Sequence, residues 1–321
     1  MERMAGDHYG EARAWLERHG RNAAVVPHND ADGLSAGVLL AGQARGGAVH
    51  VDSPWDPPLP LAGPAVIADW GVRDLEREDL LFVDHHAEPE TTRAEVLHAD
   101  ATGHGSTSEL AWHLVGAPDD GAWLAALGFV GDLGAGRLKD SSLPAVAGRS
   151  KLPALASLIS APGRLRGGPV PAAFDLLARA GGVQDALAEA SSGTLSEARD
   201  EVRSELERVR GTAPQVGPVA ALLLFDSPAK VHGQVAAAWS RRLAPRVVIS
   251  ANSGWREGKV SFSVRGGEGD LRAWLHRVFE PEPEDGDYAR GHARATGGSF
   301  RTEAFERFAR AVVATSEAPG G

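Results

Sequence analysis

Three short aliphatic runs, AAVVP (23–27), PAVIAD (64–69) and LLFVD (80–84), each run straight into histidine or aspartate. Each is compact and bounded by turn residues, the pattern of a strand buried on both faces. Around them lie LSAGVLLAGQA (34–44), STSELAWHLVG (106–116) and GAWLAALGFVG (121–131), whose apolar residues recur at spacings of three and four and predict helices. Strands alternating with helices predict an α/β fold, a parallel sheet sandwiched by helices. In an open sheet of that kind ligands bind beyond the carboxyl ends of the strands, which is where these acids and imidazoles fall. Gly and Pro crowd 134–172, which reads as loop with short helices.

The polar residues at that edge form four groups. VVPHNDADGLS supplies His28, Asp30 and Asp32 after the first strand. Read as extended chain, their alternate positions project to one side, and Gly33 permits the sharp turn into a helix. Asp69 closes the second run; Asp84, His85 and His86 close the third; Asp132 lies in GFVGDLG. Singly, each has an ordinary explanation as a helix cap or a surface loop residue. Together, each ending an apolar run, they point to one place. So many carboxylates repel strongly unless a cation lies among them. Oxygen and imidazole donors without thiolates suit Mn²⁺, Mg²⁺ or Fe²⁺. Six or seven candidate ligands exceed what one catalytic ion needs, so two metals about 3.5–4 Å apart are expected, an arrangement suited to phosphoester hydrolysis.

The chain has 321 residues, 43% of them apolar and 24% charged, enough for one large domain or two ordinary ones. The net charge is −10, divided unevenly: residues 1–191 carry 15 Lys and Arg against 26 Asp and Glu, residues 192–321 carry 18 against 17. That balance argues against tight, nonspecific binding of duplex DNA. No apolar run approaches the length of a membrane helix, and MERMAGDHYGEARAWLERHG lacks a signal-peptide core. With no cysteine, disulfides, zinc-thiolate sites, iron–sulfur clusters and thiol nucleophiles are excluded, and a cytoplasmic protein with no membrane partner is expected.

TLSEARDEVRSELERVR (194–210) is a polar helical pattern of the kind that bridges domains, with Pro214 and Gly217 as breakers after it. VAALLLFD (219–226), a helix near 231–243, RVVISA (246–251) and KVSFSVR (259–265) predict a second, smaller α/β domain. The expected division is therefore 1–191, a linker helix within 192–216, and 217–321. In YARGHARATGGSF (288–300) glycines flank His292 and Arg294, which allows close backbone approach to an anion; a hairpin or a capping turn is the other reading.

HNDADG, the later Asp69, VDHH and the Asp132 of VGD resemble the successive motifs of the DHH phosphoesterase superfamily. It includes RecJ-type single-strand exonucleases, oligoribonucleases, phosphoadenosine phosphatases and cyclic-dinucleotide phosphodiesterases. The amino-terminal resemblance runs from about residue 23 to 135. It implies two divalent metals, Mn²⁺ or Mg²⁺, with His28 and Asp30 on one, Asp32, His85 and Asp132 on the other, and Asp69 bridging. His86 would face the scissile phosphate and Asp84 would orient the histidine pair. Only Asn29 separates His28 from Asp30, a spacing more like RecJ than the oligoribonucleases. GHGSTSEL (103–110) resembles a segment near the substrate, implicating Ser106 and Thr107, although a helix start explains it too.

Over roughly 219–315, SFSVR and the glycine-rich stretch resemble the DHH-associated carboxyl-terminal domain. That implies Arg265, Gly291, His292 and Arg294 at a substrate phosphate or terminal nucleotide, with Arg290 where the family has glycine. The implied protein is a two-metal phosphodiesterase or exonuclease acting on short single-stranded RNA or DNA, with a homodimer as one expected assembly. A RecJ-like DNA exonuclease, a phosphoadenosine phosphate or cyclic-dinucleotide hydrolase, and a non-catalytic nucleotide-binding module stand as alternatives.

Overall fold

The computed structural model describes residues 7–44, 47–51, 61–73, 75–86 and 92–320, the side chains of Arg290 and His292 excepted. The chain divides into two compact units, Met1–Gly163 with Gly168–Arg199, and Arg164–Gly167 with Asp200–Gly321.

The first unit runs α1 (His8–His19), β1 (Ala24–Pro27), α2 (Ala31–Ala41), β2 (Ala65–Ala68), β3 (Leu80–Asp84), β4 (Glu95–His98), α3 (Ala99–Thr102), α4 (Thr107–Leu114), α5 (Ala122–Leu133), α6 (Leu152–Ser160), α7 (Val170–Arg179) and α8 (Val183–Ala190). Its four strands pair in parallel in the order β1-β2-β3-β4. The expected parallel sheet flanked by helices is therefore present. The aliphatic runs became strands because both sheet faces are covered, so inward and outward positions are equally apolar. Val25, Val66, Ala68, Leu81 and Val83 pack with α2, α4 and α5, whereas Val26, Ile67, Leu80 and Phe82 form a separate cluster. α2 and α5 are apolar nearly all round, as central buried helices must be.

Helix α9 (Thr194–Val209) is divided between the two units. The second unit contains β5 (Gln215–Val216), β6 (Ala220–Phe225), α10 (His232–Arg242), β7 (Val247–Arg256), β8 (Lys259–Gly266), α11 (Leu271–Val278), β9 (Gly286–His292), β10 (Ala295–Arg301) and α12 (Thr302–Ala314). Its sheet is mixed, ordered β5-β6-β7-β8-β10-β9, with β6 and β7 parallel and the other pairs antiparallel. Trp274, Phe262, Phe300 and Phe308 fill its core, Phe262 stacking on Phe308 at 4.8 Å between ring centroids.

One sequence expectation changes. Residues 28, 30 and 32 are not one extended run: α2 starts at Ala31, Asp30 is its N-cap, and Asp32 sits in its first turn. Region 134–172 is loop with short helices, as expected, α6 and the start of α7 tolerating Pro153 and Pro171 because these occupy first-turn positions that lack a backbone acceptor anyway. Of the two readings of 288–300 the hairpin is the one present, β9 and β10 pairing Ala295 with His292 and Thr296 with Gly291, with a register shift between Gly297 and Ser299. No helix among the described residues is long and apolar enough to cross a membrane.

Candidate metal centre

Four elements end at one place. β1 leads through His28 to the Asp30 cap of α2; β2 ends before Asp69; β3 ends in Asp84, with His85 and His86 after it; Asp132 comes from the last turn of α5. The first of these connections depends on Gly33. A Cβ there would lie 2.5 Å from the His28 carbonyl oxygen and 2.7 Å from the His28 nitrogen, so only glycine lets α2 fold back so closely. The Asp30 carboxylate accepts the Gly33 N–H at 3.0 Å and fixes the cap.

Asp69 lies at the middle. It is buried, and its φ of 69° puts it in the left-handed region that few non-glycine residues adopt. Strained backbone of this kind persists only where surroundings enforce it. Here the Asp69 N–H donates to the Val83 carbonyl at 3.1 Å, and the Thr107 hydroxyl donates to Oδ1 at 2.9 Å. The two carboxylate oxygens serve opposite sides. Oδ1 is 3.3 Å from His85 Nε2 and 3.9 Å from His86 Nδ1, while Oδ2 is 3.6 Å from His28 Nδ1. His85 Nε2 also lies 3.5 Å from Asp132 Oδ2 and 4.0 Å from Asp32 Oδ2, and His28 Nδ1 lies 2.8 Å from Asp30 Oδ2. The sequence-derived ligands His28, Asp30, Asp32, Asp69, His85 and Asp132 are thus brought together.

Two buried ring nitrogens, His28 Nδ1 and His85 Nε2, have carboxylates at these short distances yet no well-aligned hydrogen bond. Buried polar atoms are normally satisfied, so an orphaned pair ringed by carboxylates calls for explanation. Ligand atoms of His28, Asp30 and Asp69, and separately of Asp69, His85 and His86, lie within 4.8 Å of one another. The donor set is nitrogen and oxygen only, which fits divalent ions of the Mn²⁺ and Mg²⁺ class.

The electrostatics point the same way. Burial opposes charge on His28, yet Asp30 and Asp69 outweigh it and lift the imidazole to about 10. His85 also reaches about 10, burial again being overcome, here by Asp69, Asp32 and Asp132. Burial and the neighbouring Asp69 push Asp32 up to about 7, with His85 pulling the other way. Burial likewise raises Asp132. In the metal-free chain protons supply the positive charge that the carboxylates demand, and a bound cation must displace them.

Further residues hold the ligands in position. Asp32 accepts the amide protons of Thr107 and Ser108, both at 2.9 Å, so the amino terminus of α4 faces a buried carboxylate. Asp84 accepts from the Gly71 N–H at 2.7 Å and from the His86 N–H at 2.6 Å; burial would raise its carboxyl, but its bonds with His86 hold it below its ordinary value. His86 Nδ1 is 3.1 Å from the same Asp84 oxygen, and its ring is half exposed. His98, at the end of β4, bonds the His86 carbonyl through Nε2 while its Nδ1 accepts from Asp100 N–H at 3.2 Å. The sequence gives no signal for His98, because EVLH mixes polar and apolar residues and is not an unbroken aliphatic run.

The remaining expected residues lie elsewhere or play other parts. Ser106 is buried and caps α4, accepting the Glu109 N–H at 3.3 Å, and Thr107 is buried with its hydroxyl on Asp69. Both side chains face protein groups. In the second unit, Arg265 on β8 is half-buried, donates to the Val264 carbonyl at 2.9 Å, and is lowered by burial from the usual guanidinium range. Gly291 lies in β9 with a φ of 107°, and a Cβ there would meet the Ala295 carbonyl oxygen at 2.6 Å. Arg294 is exposed in the hairpin turn, and the side chain of His292 lies outside the described residues.

No family model and no curated protein matches the sequence. Solved structures do. RecJ from Thermus thermophilus in complex with Mn²⁺ aligns with a TM-score of 0.68 at 22% identity, covering 95% of this chain and 54% of that one. An exonuclease RecJ bound to manganese aligns at 0.65 and 21% identity, covering 97% and 95% of the two chains. The pGpG-specific phosphodiesterase PggH from Vibrio cholerae aligns at 0.52 and 16% identity, covering 91% and 98%. The chain thus spans about half the length of the Thermus RecJ and nearly all of the other two. These likenesses give no support for the expected homodimer.

Proposed function

The chain has the fold of the DHH phosphoesterase superfamily, and from that premise we propose that it is a metal-dependent phosphodiesterase that removes nucleotides from short single-stranded oligonucleotides. The observation that carries this reading is the pair of orphaned ring nitrogens, His28 Nδ1 and His85 Nε2, on opposite sides of the one buried carboxylate of Asp69.

His28 and Asp30 would hold one divalent ion, Asp32, His85 and Asp132 the other, with Asp69 shared. When bound, such a pair supplies an activated water and offsets charge on the attacking and leaving oxygens of a phosphodiester. The chain's own residues do the rest. Thr107 holds Asp69 so that each oxygen serves one side. The α4 amides keep Asp32 in place at the second position. His86 bonds Asp84 through Nδ1; burial opposes its charge, but Asp84 and Asp69 raise it, which favours the form that would donate from Nε2 to a phosphate oxygen. In the second unit Arg265 would hold a phosphate or the terminal nucleotide together with the β9–β10 hairpin, a grip on strand ends that favours short substrates.

A panel of 2–5-mers, long single strands, phosphoadenosine phosphate and cyclic dinucleotides, assayed with Mn²⁺, tests this. Turnover confined to the 2–5-mers is expected. Digestion of strands beyond about twenty nucleotides would replace it with the RecJ-like alternative, and nucleotide binding without Mn²⁺-dependent turnover would leave a binding module.

A further inference from the structure

Outside the Asp69 cluster, a second group of metal-ligating side chains gathers beside α4, its carboxylate buried and its two imidazoles partly buried. Glu109 and His113 lie four residues apart, hence on one face of the helix, and His104 comes from the turn just before it. Ligand atoms of the three lie within 4.8 Å of one another. The two imidazoles stack at 4.3 Å with an interplanar angle of 19°, and Tyr9 sets its ring edgewise to both, at 6.0 and 6.1 Å. The Ser142 hydroxyl sits among the donors, 2.7 Å from His113 Nε2, 2.7 Å from Glu109 Oε1 and 3.4 Å from His104 Nδ1.

We propose that His104, Glu109 and His113 form a third cation site, separate from the Asp69 centre and suited to a Zn²⁺-class ion. Two imidazoles and one carboxylate are a common zinc donor set, and the Ser142 hydroxyl is placed to be the fourth ligand or to yield that position to water. At zinc–ligand distances of about 2.0–2.2 Å, tetrahedral donors stand roughly 3.4 Å apart, so the group must draw in by roughly 1.4 Å at its widest. His104 Nδ1 and Glu109 Oε1, 3.6 Å apart, are nearly there already.

Both ends of the group are in the protonation state that binds metal. Burial opposes charge on Glu109, but His104, the Gly105 N–H and Ser142 hold it down at about 2. Burial and the neighbouring His104 lower His113. The site is also tied to that centre through the chain. Glu109 grips the Gly105 N–H at 2.8 Å, and two residues later Thr107 holds Asp32 and Asp69. An ion on His104 and His113 would therefore clamp the turn that positions both carboxylates.

Cobalt(II) serves as the probe, because four-coordinate sites absorb far more strongly in the visible than octahedral ones. In the full chain carrying Asp32→Asn and Asp69→Asn, one equivalent of Co²⁺ with a strong four-coordinate spectrum is expected, displaced by one equivalent of Zn²⁺. Adding His113→Gln should abolish it. In parallel, bound metal per otherwise wild-type chain should fall by one equivalent on His113→Gln, whatever the Asp69 centre binds, and this comparison decides should the double variant fail to fold. Absence of a strong Co²⁺ spectrum from the folded double variant, or an unchanged metal count in His113→Gln, would overturn the site.

Discussion

Removing one hydroxyl tests how the protein holds its central carboxylate. In Thr107→Val the shape is kept while the donor to Asp69 Oδ1 is lost. Thr107 and Asp69 are 0% and 3% exposed, so water cannot readily replace the bond. A hydrogen bond to a charged group is worth about 1.5–3 kcal/mol, and at 1.4 kcal/mol per decade that corresponds to roughly 10–100-fold in an equilibrium constant. The same range is typical when a group that orients a metal ligand is removed. Mn²⁺ affinity measured by titration calorimetry should therefore fall roughly 10–100-fold in Thr107→Val and recover in Thr107→Ser, which restores a donor. Urea unfolding of the metal-free protein separates this from general damage, since a loss of no more than about 3 kcal/mol is expected. A Thr107→Val protein binding Mn²⁺ within twofold of wild type would show that the hydroxyl does not orient Asp69 as a ligand.

Other consequences follow from the same geometry. Gly33→Ala drives a Cβ into the His28 backbone at 2.5–2.7 Å and should cost about 1–3 kcal/mol or more in urea unfolding, with metal binding lost alongside; a neutral effect would refute the tight turn. His28 and His85, both near 10, are protonated below that pH and must release protons to bind metal, so Mn²⁺ affinity should rise with pH between 7 and 9. With one imidazolium proton displaced at each site, the affinity for each ion rises roughly tenfold per pH unit, and calorimetry in buffers of different ionisation enthalpy counts those protons; a flat profile would contradict it. Arg265→Ala should raise KM more than it lowers kcat, as expected of an anchor remote from the reacting bond, and steady-state kinetics with an unchanged KM would count against that role.

The sequence made the sheet edge legible because buried parallel strands must be aliphatic on both faces, leaving β1, β2 and β3 as unbroken runs that stop at the functional residues. What it hid follows from local chemistry. Asp30 and Asp32 looked alike by alternation, yet one caps a helix and the other lies inside it, a difference set by side-chain to backbone bonds that the alternation hides. β4 is an edge strand that opens on the half-buried Glu95, so it lacks the unbroken aliphatic run and gives no signal for the His98 that supports His86. In β9 and β10 glycines at 291, 297 and 298 break the in–out pattern, which left a hairpin as only one of two readings. Ser106 and Glu109 did signal a helix start, but the carboxylate reaches Gly105 and Ser142, and that contact between residues 33 apart had no trace in the sequence.

On the proposed reading Asp69 would be shared between two cations at the carboxyl edge of the first sheet. Crystals grown with Mn²⁺ and measured at the manganese absorption edge test it most directly. Two anomalous peaks roughly 3.5–4 Å apart, one on either side of the Asp69 carboxylate, are the expected result, and Asp69→Ala should remove both. A single peak away from Asp69, or two peaks that persist in Asp69→Ala, would contradict the account.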